Sequence, residues 1–181
     1  MRNLLKNRWA LSTVVTTLII LVVSVLLAGV VTYFAINVTS TRVQEESLHL
    51  TKQHIFYSNG TAQATIMIIN TGGRDVVLDK VTVRGQECQW DNVFYNVTTD
   101  SVSADLAFNS TMAADTELII GEASYTFLAA TTDLTLESGK TMIIYIASPD
   151  SITVNDIGLT AAITVFTSQA MYYKETNVES N

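Results

Sequence analysis

Two histidines, one cysteine and a scatter of carboxylates are what this chain has for chemistry. His49 and His54 lie five residues apart in sequence, with His49 expected late in a helix and His54 on a strand. A side-chain nucleophile needs a base within reach and a third group to orient that base. The spacing supplies neither, so no catalytic residue is assigned and the chain is not expected to be an enzyme. No Cys/His cluster has the spacing of a zinc site. Asp75, Asp79 and Glu87 offer hard oxygen ligands that could hold calcium. Carboxylates this scattered are more simply a solvated face, so no metal and no cofactor is expected. Gly72-Gly73 sits between two strand-like runs with no helix after it, unlike a phosphate-binding loop. Cys88 is the sole cysteine and excludes an intrachain disulfide. It is expected to act as a small buried hydrophobe, with an intermolecular disulfide as the competing reading. Trp90, Phe94 and Tyr95 are assigned to core or interface.

Four N-x-S/T tripeptides stand at Asn37, Asn59, Asn96 and Asn109, each a candidate N-glycosylation acceptor. Asn59 falls in a turn and Asn109 in a polar stretch, which makes them the best acceptors. Asn37 is the poorest, because it lies on the first long helix. The competing reading is four ordinary surface asparagines.

The element that organises the rest is Leu11–Ile36, which contains no charge and no proline. A bilayer core about 30 Å thick needs about 20 apolar residues as a helix, so this run spans it with length to spare. It is apolar on every face, the mark of a helix surrounded by lipid or by other helices. Ser12, Thr13, Thr16, Thr17 and Ser24 can bond back to carbonyls a turn earlier or across to a neighbour. Ala28 and Gly29 are small enough to let a second backbone approach, and are assigned to helix–helix packing. Val43, Ser47 and Leu50 share a stripe, so the helix is expected to continue to about Leu50. Arg2, Lys6 and Arg8 precede the run, and the first acidic residue is Glu45. Lys and Arg beside a span stay cytoplasmic, so the N-terminus is placed inside and the bulk of the chain outside. The run is too long for the apolar core of a cleaved secretory signal, and Asn37-Val38-Thr39-Ser40 lacks the small-residue cleavage pattern. The net charge of −7 argues against nucleic acid as a partner.

Beyond Lys52 the period changes to two. Thr61–Asn70, Asp75–Arg84, Val93–Val97, Glu117–Ile120, Ser124–Leu128, Leu134–Leu136, Thr141–Ala147 and Ile157–Thr167 have strand patterns separated by turn signals. Ile157, Leu159, Ala161, Ile163 and Val165 are expected to face inward. Residues 98–117 are assigned to a long loop or edge excursion, and 174–181 to a frayed tail. The fold class is therefore α+β: a long N-terminal hydrophobic α-helix followed by an antiparallel Ig-like β-sandwich of seven to nine strands. The domains are 1–10, a cytoplasmic leader; 11–50, the helix; and 51–181, an extracellular β-sandwich.

The basic leader, then Trp9-Ala10-Leu11-Ser12-Thr13-Val14-Val15 and the apolar helix, resembles the class III signal peptide of archaeal type IV pilins and archaellins. The β-rich remainder, with INTGGRDVVLDKVTV and DIGLTAAITVFT, is similar to their outer domains. The resemblance implies that a prepilin peptidase-like membrane enzyme cuts between Ala10 and Leu11. It further implies that assembly machinery transfers the helix from the membrane into a helical filament of identical copies. The chain would then serve at the cell surface in adhesion or attachment, or in motility. The alternative is an uncleaved single-pass membrane protein displaying an extracellular Ig-like binding module.

Overall fold

The computed structural model describes residues 8–43 and 45–181. The chain divides into two compact units, with the boundary between Val43 and Gln44. Residues 1–7 of the expected leader lie outside the described residues.

The first unit contains one helix, α1 (Arg8–Val43), 36 residues long, or about 54 Å at 1.5 Å per residue. Its many β-branched residues favour helix poorly in water. The hydroxyls do not compete with the helix ladder but back-bond into it. Thr16 donates to the Ser12 carbonyl (2.9 Å), Ser24 to Ile20 (2.7 Å), Thr32 to Ala28 (2.7 Å) and Thr41 to Asn37 (2.9 Å).

The helix stops at Val43 rather than at Leu50. Leu48 and Leu50 are buried and the intervening His49 is exposed, an alternation of two that belongs to a strand. The apparent helical stripe through Val43, Ser47 and Leu50 lost to the pull of the β core on Leu48 and Leu50.

The second unit has eleven strands: β1 (Leu48–Ser58), β2 (Thr61–Asn70), β3 (Val76–Val83), β4 (Gln86–Glu87), β5 (Val93–Thr98), β6 (Thr116–Ile120), β7 (Ala123–Ala129), β8 (Leu134–Leu136), β9 (Thr141–Ala147), β10 (Thr160–Thr167) and β11 (Met171–Ser180). They follow one hydrogen-bonded path, β4-β3-β10-β11-β1-β2-β9-β5-β7-β6, with β8 also on β3. Every pair is antiparallel except β1 with β11, which run parallel over Ile55–Tyr57 and Val178–Ser180. That short pair joins two layers. Ile55, Ile66, Ile68 and Ile144 from one layer share a core with Leu78, Val83, Ile163 and Val165 from the other.

A second core lies on the opposite face of β2, β9 and β5. Met67, Ile143, Tyr145 and Phe94 pack there against Phe127, Tyr125 and Ile120 of the β6–β7 hairpin, and against Val102 and Leu106. Phe127 and Tyr145 meet edge to face with ring centroids 5.1 Å apart. Strands β2 and β9 are therefore buried on both faces, which accounts for the unbroken apolar runs IMII and MIIYI. Residues 99–115 form the expected long loop, without strand pairing, and it lies over this second core through Val102 and Leu106.

Several hydrogen bonds hold that segment down. The buried Gln63 amide donates to the Asn109 carbonyl and accepts from its N–H, both at 2.8 Å. The Tyr145 hydroxyl donates to the Ala107 carbonyl at 3.1 Å. The Lys52 ammonium donates to the carbonyls of Ser103 and Ala104. Gly121 permits the close approach: its φ is +70°, and a Cβ there would stand 3.1 Å from that of Ala104. Gly72 plays the same part beside β1. A side chain on it would reach the Glu45 carbonyl and the Ser47 nitrogen at 2.8 Å.

Two further expectations change. The expected tail 174–181 is most of β11, paired with β10 and with β1. Ile157 and Leu159 are exposed, and the inward alternation begins only at Ala161.

Candidate functional site

Every large apolar side chain from Val14 to Val38 on α1 is at least 45% exposed. Among the described residues this is the one helix long and apolar enough to cross a membrane, over Ser12–Thr41. Its backbone is satisfied internally, and the hydroxyls of Thr16, Thr17, Ser24, Thr32 and Thr41 are satisfied on it. These five hydroxyls therefore leave no orphaned donor on the apolar surface offered to a neighbour, which suits lipid or another helix. Ala28 and Gly29 lie mid-helix. A Cβ built on Gly29 meets nothing within 4 Å, so that position is open to an approaching backbone. Ala10 and Leu11 both lie in the first turns of α1, with no break in the helix at the expected cut.

The sequons fall into distinct environments. Asn37 is helical, and its carbonyl accepts the Thr41 hydroxyl. Asn59 is exposed at the β1–β2 turn with φ +50°. Asn96 is half-buried within β5, and its amide nitrogen donates to the Thr126 carbonyl at 2.7 Å, which turns the acceptor nitrogen into the sheet. Asn109 forms a local turn in which its side-chain oxygen accepts from both the N–H and the hydroxyl of Thr111, at 2.8 and 2.9 Å.

Both histidines belong to β1, so His49 is not helical. His49 is exposed. His54 is held between two carboxylates: Nε2 is 2.9 Å from Asp105 Oδ1 and Nδ1 is 3.1 Å from Glu179 Oε1. Its ring stacks on Phe56 at 5.4 Å. Burial pulls the imidazole's pKa down, but the bonds to Glu179 and Asp105 outweigh it and leave the pKa above the ordinary 6.5. Spacing could not reveal this group, because its members come from β1, the 99–115 segment and β11.

Asp75 accepts the Ser138 N–H at 2.9 Å, Asp79 is an exposed residue of β3 and Glu87 lies on β4. Among the described residues no three His, Cys, Asp or Glu side chains converge on a point that could hold a metal ion. Cys88 is half-buried against the first core, and burial pushes its thiol up to about 11. Phe94 is buried in the second core, while Trp90 and Tyr95 are partly buried against the first.

No family model matches the chain, and no curated protein does. Among solved structures, the chain is similar to the copper-bound PCuAC domain from PmoF2 at 14% identity, TM-score 0.34, covering 76% of this chain and 100% of that one. It is also similar to the ligand-binding region of the serine-glutamate repeat protein SgrA of Enterococcus faecium, at 15% identity, TM-score 0.25, 76% of this chain and 98% of that one. Likenesses this distant carry no argument about ligand or assembly.

Proposed function

We propose that this chain is a structural subunit of an archaeal type IV pilus-like surface filament that polymerises through its N-terminal helix. The observation that carries the reading is α1 itself: an uninterrupted apolar rod, internally hydrogen-bonded, with its side chains exposed all round. While the rod is in a membrane, lipid covers it. Extraction into water would cost roughly 1.5–3 kcal/mol for each large side chain. Leaving the bilayer is tolerable only where helices of other copies replace lipid. Identical subunits joined through two different surfaces build an open helical polymer rather than a closed ring. In this scheme the leader is removed between Ala10 and Leu11, the helices bundle, and the β domains meet solvent. Adhesion or surface attachment follows as the role, with motility as a variant.

Intact-mass measurement of the chain from sheared cell-surface material tests this reading. A mature N-terminus at Leu11 in fibres visible by electron microscopy is the expected result. Full-length monomers confined to the membrane would overturn it in favour of a single-pass anchor displaying the β domain.

A further inference from the structure

His54 carries more of the domain's connectivity than its half-exposed position suggests. A neutral imidazole has one N–H donor and one lone pair, whereas the imidazolium has two donors. Both ring nitrogens of His54 face carboxylate oxygens at hydrogen-bond distance. Only the protonated ring satisfies both; the neutral ring must set a lone pair against an anion on one side. The two sides are not equally fixed. Glu179 lies on β11, paired with β1 beside it. Asp105 lies on a segment without strand pairing, so the loss falls there.

We propose that His54 is a pH-operated latch, closed when protonated, that tightens the 103–106 stretch over the second core and loosens its hold at Asp105 on deprotonation. The charged and titratable groups around it are Lys52 on β1, Asp105 on the segment, Glu179 on β11 and Tyr145 on β9. Lys52 donates to the Ser103 and Ala104 carbonyls beside it. The Tyr145 phenol, pushed up to about 12, does not titrate in the working range. Burial raises the Asp105 carboxyl, but the bonds from His54 and the Leu106 N–H, with the charges of His54 and Lys52, together outweigh it and leave it below its usual 3.8. The sign follows. A raised imidazole pKa gives stability complete below about 6.5 and lost as pH climbs through the folded value. At the acid end the latch holds until Asp105 itself takes a proton, below 3.8. The Leu106 N–H reports the state directly, since it donates to the same Asp105 oxygen at 3.0 Å. The Asn109 N–H, held by Gln63, is a control in the same segment.

The test is amide hydrogen exchange on the full chain in detergent micelles from pH 5 to 9, corrected for the intrinsic pH dependence. Protection at Leu106 is expected to fall roughly 2- to 10-fold across the His54 titration, the ordinary net worth of one hydrogen bond. Protection at Asn109 should stay level. In His54→Gln, which keeps a donor and an acceptor but no titration, the step should vanish. A level Leu106 profile in the unmodified chain, or a step that survives in His54→Gln, overturns the latch.

Discussion

Leu26 of α1 and Ile144 of β9 have side chains of equal size and similar chemistry, yet Leu26 is 64% exposed and Ile144 is fully buried. Backbone hydrogen bonding does not distinguish them, since the helix satisfies itself locally and β9 is satisfied by β2 and β5 on either side. What differs is where the hydrophobic free energy comes from. The β domain gathers it within one chain, from two cores on opposite faces of β2, β9 and β5. The helix must take it from outside, from lipid or from other helices. The first unit thus depends on its surroundings for apolar contact, and the second supplies its own.

The strongest way to break this contrast is to put a charge where the helix expects apolar neighbours. Leu26→Arg places a cation mid-span, at about 2.5–3.5 kcal/mol for insertion, and a polymer repeats that cost in every copy. Surface fibres should disappear by electron microscopy. The denaturation midpoint of the β domain, followed by tryptophan fluorescence, should not move. Persistence of normal fibres would mean that α1 is not the assembly element. Next in size is the converse change. Phe127→Ala empties the centre of the second core and should cost about 3–5 kcal/mol of domain stability, read by chemical denaturation. Membrane insertion of the helix should be untouched.

The sequence makes the two units legible to different degrees, for physical reasons. A charge-free run needs no tertiary information to be recognised, so α1 is visible at once. Strands β2, β3, β5, β7 and β9 are equally plain, because apolar side chains with turn signals between them leave few alternatives. Strand β11 is hidden because its stretch Lys174-Glu175-Thr176-Asn177 is polar and only Val178 is fully buried; its partners lie on remote parts of the chain. Val102 and Leu106 lie in a stretch broken by Ser, Asp, Asn and Thr, with no strand alternation to betray the core beneath. His54 and its two carboxylates are 51 and 125 residues apart, so only the folded sheet brings them together.

A smaller effect sharpens the contrast within the β domain. Asp156 accepts the hydroxyl and the N–H of Thr153, both at 2.8 Å, and pairs with Arg84. Those partners hold its carboxyl below the usual 3.8, the Thr153 bonds first and the Arg84 pair after them. Its contribution is therefore present above 3.8 and lost as pH falls through the lowered value. The His54 contribution has the opposite sign and is lost as pH rises above 6.5. Thermal unfolding of the domain across pH 2 to 9 should show a plateau between these limits. Asp156→Asn should remove part of the acid limb and His54→Gln part of the alkaline one. The helix, with no titratable group between Trp9 and Tyr33, should add nothing to either limb.

The smallest expected effect asks whether the helix hydroxyls serve their own backbone or a neighbour's. The Ser24 hydroxyl already donates to the Ile20 carbonyl at 2.7 Å, and that carbonyl keeps its helix-ladder bond without it. Ser24→Ala removes a redundant local bond, so fibre yield and thermal stability should change by less than about 0.5 kcal/mol per copy, near the average for polar contacts between membrane helices. Gly29→Leu should behave differently, because it fills the one mid-helix position where a second backbone can approach without meeting a side chain. A large loss of fibres in Ser24→Ala would show that the hydroxyl turns outward on assembly. The helix would then exchange an internal hydrogen bond for one between copies, and its association would rest on polar contacts as well as apolar packing.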